Sequence, residues 1–394
     1  MKYAVLILSG MSDRPFRAYN EETPLSAAVK PNINKLASKA FTGFVQNIPT
    51  SFANVCDAAA WSVIGYSPKK YCTGRAAACM CGNGMKIKND DAALLCGFVS
   101  LTDGDTYENR SMSEYNISDI TLEEKRKITA SLNESVGNDV FGFRISKSGE
   151  AFVIWSRGEE YPGKLYPPER AYNKPIGKYL PDGQFTFPLC ELMKKSSDVL
   201  KDHPVNIKRL EEGKTPVSSV WLWSISKKSV IESFESLYGM KAAVISSDSY
   251  FRGIAKFAGM SVYDVRRSAR LAGAADKAVY LLENNDIVFV YLDMLEYAKS
   301  FDDKKRLIEK IDKELIAVIY DRLNSLDTSY RLLITCGHSV PLSTGEPTLE
   351  AVPYMIYDSE RSYRGEESFD ENISCENFLA DGQSLIRKFL MHRT

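Results

Sequence analysis

Five short apolar runs, over residues 3–8, 243–246, 287–292, 332–335 and 352–357, restrict the fold of this 394-residue chain more than any other feature. The first three lead through loops into helical patterns at 33–40, 250–258 and 302–323, and the fourth leads through the loop 336–350 into the fifth. Strands alternating with helices predict an α/β fold, a mostly parallel sheet with helices on both faces. The stretch 302–323 fits one such helix, because Leu307, Ile308, Ile311, Leu315, Ile316 and Ile319 share a face against the sheet. Ligands of sheets of this kind bind beyond the carboxyl ends of the strands. The loops after Leu8, Leu292 and Thr335 are therefore where chemistry is expected.

The middle of the chain has a different texture. Residues 86–190 carry turn pairs such as Asp103-Gly104 and Asn109-Arg110, strand patterns at 93–101 and 151–155, and a helical pattern at 122–132. This predicts a smaller α+β domain inserted into a core formed by 1–85 and 191–394, which suits a chain long for a single core.

Charge and composition exclude some classes. With 50 Lys+Arg against 51 Asp+Glu, the chain lacks the basic excess of a nucleic-acid binder. The N-terminal apolar run ends at Ser9-Gly10 and reads as a strand rather than a signal peptide. Nothing approaches the roughly 18–20 apolar residues that span a bilayer, so no membrane partner is expected. Eight cysteines without a secretory signal read as reduced thiols in the cytoplasm. Cys72, Cys79, Cys81 and Cys96 lack the paired spacing of a zinc site, and Ala76-Ala77-Ala78-Cys79-Met80-Cys81-Gly82 reads as small-residue packing.

Several blocks then appear in a recognisable order. They are Thr23-Pro24-Leu25-Ser26-Ala27-Ala28 with Pro31-Asn32-Ile33-Asn34-Lys35-Leu36-Ala37, Ile64-Gly65-Tyr66-Ser67-Pro68, and Tyr71-Cys72-Thr73-Gly74-Arg75. Asn173-Lys174-Pro175-Ile176, Asp202-His203-Pro204-Val205-Asn206, Trp221-Leu222-Trp223 and Tyr238-Gly239-Met240-Lys241 follow. By these blocks the chain resembles, end to end, the archaeal-type cofactor-independent phosphoglycerate mutases of the alkaline phosphatase superfamily. The resemblance implies two divalent cations of the Mn, Mg or Zn type over a nucleophilic serine. That serine moves a phosphoryl group between neighbouring hydroxyls of phosphoglycerate, taking 3-phosphoglycerate to 2-phosphoglycerate. The ions lower the serine pKa and neutralise the phosphoryl oxygens.

Carried over position by position, the family's site is largely missing. Ser9 stands for a ligand Asp, and Cys56, ahead of Asp57, stands for the nucleophilic serine. Glu296 and Ser300 align with an Asp-x-x-x-His pair, Gly337 replaces the Asp of an Asp-His pair, and Pro347 falls near the last His. Only Glu296 and His338 remain as ligands of the family's kind, with Cys56 a softer third. The chain has 3 histidines, His203, His338 and His392, too few to rebuild the site elsewhere. Arg252 matches a family Lys that touches the phosphoryl group, and Arg75, Asn206 and Arg209 match substrate-binding positions. Each of these also has a purely structural reading. The expectation is a family member that has lost the mutase reaction and binds a small phosphorylated carboxylate, a protein partner or a second copy of itself. No cofactor is expected beyond the remnant ion positions. The rival reading is a divergent phosphotransferase using Cys56, Asp57 and Arg252 with at most one metal.

Overall fold

The runs read as strands pair at their expected places in a computed structural model, which describes residues 1–52, 55–159, 163–265 and 271–391. The chain divides into two units, one of Met1–Cys72 with Val230–Thr394 and one of Thr73–Ser229.

The strands are numbered in chain order. The first unit holds β1 (Lys2–Leu8), β2 (Phe41–Val45), β8 (Ala242–Ser246), β9 (Ser261–Tyr263), β10 (Ile287–Leu292), β11 (Tyr330–Thr335), β12 (Val352–Asp358) and β13 (Phe378–Leu379). They form one sheet in the order β13-β2-β12-β11-β1-β10-β8-β9. β1 runs parallel to both β10 and β11, and β8 runs parallel to β10 and β9. Only β12 is antiparallel, against β11 and β2. The central strands β1, β10 and β11 are buried along almost their whole length, as parallel strands covered on both faces must be.

The helical pattern at 302–323 forms Phe301–Ile311, a π-turn at Asp312–Ile316 and Ala317–Asn324. The Asp312 carboxylate accepts from the backbone N–H groups of Asn32 at 3.3 Å and Ile33 at 2.7 Å. It thereby satisfies orphan donors in the first turn of the helix Pro31–Ala37.

The second unit holds β3 (Ala92–Leu101), β4 (Met112–Glu114), β5 (Phe141–Ile145), β6 (Ala151–Trp155) and β7 (Ser219–Lys227), all paired antiparallel. This unit is wider than the expected insertion of 86–190. β7 pairs along β3 from Ala92 to Val99, and the helix Phe187–Lys201 packs on β7, so residues assigned to the core from sequence belong here. No helix of the described residues is long and apolar enough to cross a membrane.

Candidate functional site

Strand register builds the site. Leu8 of β1 lies opposite Leu292 of β10, and Ile7 lies opposite Thr335 of β11, so the three strands end level and their following loops meet. Ser9 N–H donates to the Leu292 carbonyl at 2.8 Å, and Gly10 N–H donates to the His338 carbonyl at 3.1 Å. Gly10 has φ +76°, and a Cβ there would stand 2.7 Å from the backbone nitrogen of Glu296. Only glycine lets the β1 turn seat against the Glu296 turn. The buried Asn47 amide donates to the carbonyls of Cys336 at 2.9 Å and Gly337 at 3.0 Å, and so fixes the turn that carries His338.

Four of the expected residues converge. His338 is 1% exposed, and its Nδ1 lies 3.3 Å from the Ser9 hydroxyl. Its Nε2 lies 3.6 Å from Cys56 Sγ and 3.5 Å from Glu296 Oε1. Cys56 sits in the first turn of the helix Val55–Val63, half-buried. The Tyr291 hydroxyl donates to Glu296 Oε1 at 3.3 Å.

Burial sets the electrostatics. It pushes the His338 imidazole down to about 4, helped by the Lys304 ammonium, so the ring is neutral at neutral pH. Lys304 is itself held within the fold by the Asp13 carboxylate at 2.7 Å and the Val340 carbonyl at 2.9 Å. Burial pushes the Glu296 carboxyl up to about 7, with Asp293 and Asp248 adding to the rise and the Ser9 and Tyr291 hydroxyls opposing it. Asp293 is also raised, by burial and then by Asp248.

Other expected site residues lie elsewhere or are committed to structure. Ser300 is exposed and caps the helix Phe301–Ile311 by accepting from Asp303 N–H at 3.2 Å. Pro347, half-buried in the loop before β12, offers no donor atom. Arg252 is 2% exposed, donates to the Ser246 carbonyl at 2.8 Å and faces Asp264 at 3.6 Å. Asp57 is buried in its helix. In the other unit, Arg75 is half-buried at the start of the helix Ala76–Gly82. Asn206 donates to the carbonyls of Leu200 at 2.7 Å and Val217 at 2.6 Å, and accepts from Val217 N–H at 2.9 Å. Arg209 is 1% exposed between Asp119 and Glu124 and donates to the Thr215 carbonyl at 2.8 Å. His203 caps the helix Pro204–Glu211 through Nδ1 and faces Ser131 through Nε2. His392 lies outside the described residues.

Sequence reasoning passed over Tyr291, Asp293, Asp248, Lys304 and Asn47. Asp293 alone carried a signal, as a carboxylate directly after a buried strand.

The sheet and its loop-borne site define an α/β protein of the alkaline-phosphatase-like class. The chain belongs to the 2,3-bisphosphoglycerate-independent phosphoglycerate mutase family. The family model for that enzyme matches residues 37–206. A relative from Methanosarcina barkeri with the name of that mutase is 31% identical, covering 96% of each chain. A "probable" mutase from Geobacter sulfurreducens is 30% identical, covering 99% of this chain and 100% of its own. Among solved structures, a Pyrococcus horikoshii protein aligns with TM-score 0.79 at 24% identity over 100% of this chain and 98% of its own. The cofactor-independent phosphoglycerate mutase from Thermoplasma acidophilum aligns with TM-score 0.67 at 24% identity, covering 99% of each chain. These two likenesses concern the fold.

The donor set present does not suit two ions. A Cβ added at Gly337 would stand 3.0 Å from Ser9 Oγ, so these two positions face each other. Together they offer a neutral hydroxyl and a hydrogen where a hard cation needs carboxylates. Among the described residues, Cys56, Glu296 and His338 are the one group of three whose ligand atoms lie within 4.8 Å of one another.

Proposed function

We propose that this member of the family does not carry out the mutase reaction for which its relatives are named, and that it serves as a binding protein. The observation that carries this reading is the pair Ser9 and Gly337. A Cβ at Gly337 would stand 3.0 Å from Ser9 Oγ, which also lies 3.3 Å from His338 Nδ1, so these two facing positions supply no carboxylate. The candidate nucleophile is a thiol, and the buried Arg252 is engaged by the Ser246 carbonyl and Asp264. The reading leaves a small phosphorylated carboxylate or a protein partner as the bound species. Its test is conversion of 3-phosphoglycerate to 2-phosphoglycerate by purified protein supplied with Mn²⁺, Mg²⁺ or Zn²⁺. No turnover above background is expected; robust turnover overturns the proposal.

One observation favours a second reading. Cys56 Sγ lies 3.6 Å from His338 Nε2, the separation of a thiol from a base that could activate it. A thiol-dependent phosphotransferase would show activity that disappears in Cys56→Ala.

A further inference from the structure

We infer that Cys56, Glu296 and His338 form a site for a single soft divalent cation of the zinc class, with Cys56 as a ligand rather than a nucleophile. The inference rests on the reading that the two-ion machinery is lost, and it deepens that reading by naming what the remaining residues hold.

The spacing is the first argument. A tetrahedral ion with a sulfur ligand at about 2.3 Å and a nitrogen ligand at about 2.0–2.1 Å sets those atoms about 3.6 Å apart. Nitrogen and carboxylate oxygen ligands of the same ion stand about 3.4 Å apart. The structure places Cys56 Sγ 3.6 Å and Glu296 Oε1 3.5 Å from His338 Nε2. The three ligand atoms all lie within 4.8 Å of one another, close enough for one ion to bind them together.

The supporting contacts are the second argument. The Ser9 hydroxyl takes the Nδ1 side of His338, so in the tautomer with the proton on Nδ1 the Nε2 lone pair faces Cys56 and Glu296. Ligating histidines are oriented in this way by a partner on the other ring nitrogen, and carboxylate ligands are likewise hydrogen-bonded. Tyr291 supplies that second contact to Glu296. The neighbouring thiol Cys336 is not a competing ligand, because its Sγ donates to the His338 carbonyl at 2.8 Å.

The donor set then selects the ion. One thiolate, one imidazole and one carboxylate suit Zn²⁺ or Co²⁺, whereas Mg²⁺ and Mn²⁺ prefer oxygen donors. Three protein ligands leave a fourth position for water or an anionic ligand. Binding forms metal–sulfur, metal–nitrogen and metal–oxygen bonds and releases the thiol proton, and the carboxyl proton where present, to solvent; no electron is transferred.

The test uses the full-length protein, stripped with a chelator and titrated with Co²⁺. One ion per chain is expected, with the intense visible bands of tetrahedral Co²⁺ and a near-ultraviolet thiolate-to-metal band. Zn²⁺ should displace it, and the same concentration of Mg²⁺ should not. Cys56→Ser should remove the thiolate band and weaken Zn²⁺ binding by about 100-fold or more, Ser9→Ala should weaken it by about tenfold, and Cys336→Ser should keep the band. Circular dichroism of each variant separates loss of a ligand from loss of the fold. Absence of the thiolate band in folded wild-type protein overturns the inference and leaves the non-catalytic reading standing. Two ions per chain with mutase turnover overturn both.

Discussion

The Nδ1 atom of His338 lies 3.3 Å from the hydroxyl of Ser9, at a point where the loops after β11 and β1 are pressed together by level strand ends. The contact orients the ring so that its other nitrogen meets Cys56 and Glu296. It also puts a hydroxyl on the side of the ring where Gly337 offers nothing, since the Ser9 oxygen fills the space a Cβ at 337 would approach. The consequences can be measured.

Placing a carboxylate beside Ser9 by Gly337→Asp should not produce mutase turnover. Its Cβ would stand 3.0 Å from Ser9 Oγ, and its charge would enter a buried pocket beside Glu296. A loss of about 1–3 kcal/mol in unfolding free energy is expected, read by chemical denaturation, without mutase turnover.

Lys304 and Asp13 pair at 2.7 Å with both side chains fully buried. Removing one partner strands the other charge, so Asp13→Ala should cost about 3–5 kcal/mol. The double variant Asp13→Leu with Lys304→Met should be less destabilised than Asp13→Ala, because no unpaired charge remains. Urea midpoints of the variants check the order.

The pH dependence of stability carries a compensation. His338 falls from an ordinary 6.5 to about 4 in the fold, so its contribution is present above 6.5 and is lost as pH falls toward 4. Glu296 rises from 4.5 to about 7, so its contribution is present below 4.5 and is lost as pH rises toward 7. Between pH 4.5 and 6.5 the two nearly cancel, each being on the order of 3 kcal/mol at most. Glu296→Gln removes one arm. Its stability should then drop as pH falls from 6.5 toward 4 more steeply than that of wild type, as read from urea midpoints across pH.

Asn206 and Arg209 should behave as structural residues. Asn206→Ala loses three internal hydrogen bonds and should lower the unfolding free energy by about 2–4 kcal/mol. Metal stoichiometry in the Co²⁺ titration should stay unchanged in the folded variant. A changed stoichiometry would give Asn206 a role beyond structure.

Much of this was readable from the chain itself. The strand runs, the amphipathic helix along 302–323 and the inserted α+β segment all form, because each rests on local propensity and the period of apolar residues. The limits of the second unit were not readable. They depend on β7 pairing with β3 across more than a hundred residues, and nothing local to 191–229 announces that partner. For Arg252 the sequence left a phosphoryl contact and a structural role both open, because residue type alone does not say what surrounds a charge early in a helix. Its burial follows from the Ser246 carbonyl and Asp264, which the fold brings to it.

The sequence by itself determined the family, and it puts no carboxylate or imidazole at Ser9, Ser300, Gly337 and Pro347, because side-chain chemistry is set by the residue type. The tertiary structure decided what the survivors make together. Cys56, Glu296 and His338 are hundreds of residues apart at the extremes, and only level strand ends and a glycine turn at Gly10 bring their donor atoms within reach of one ion. Convergence of this kind is a property of long-range register and burial, which local sequence pattern does not encode.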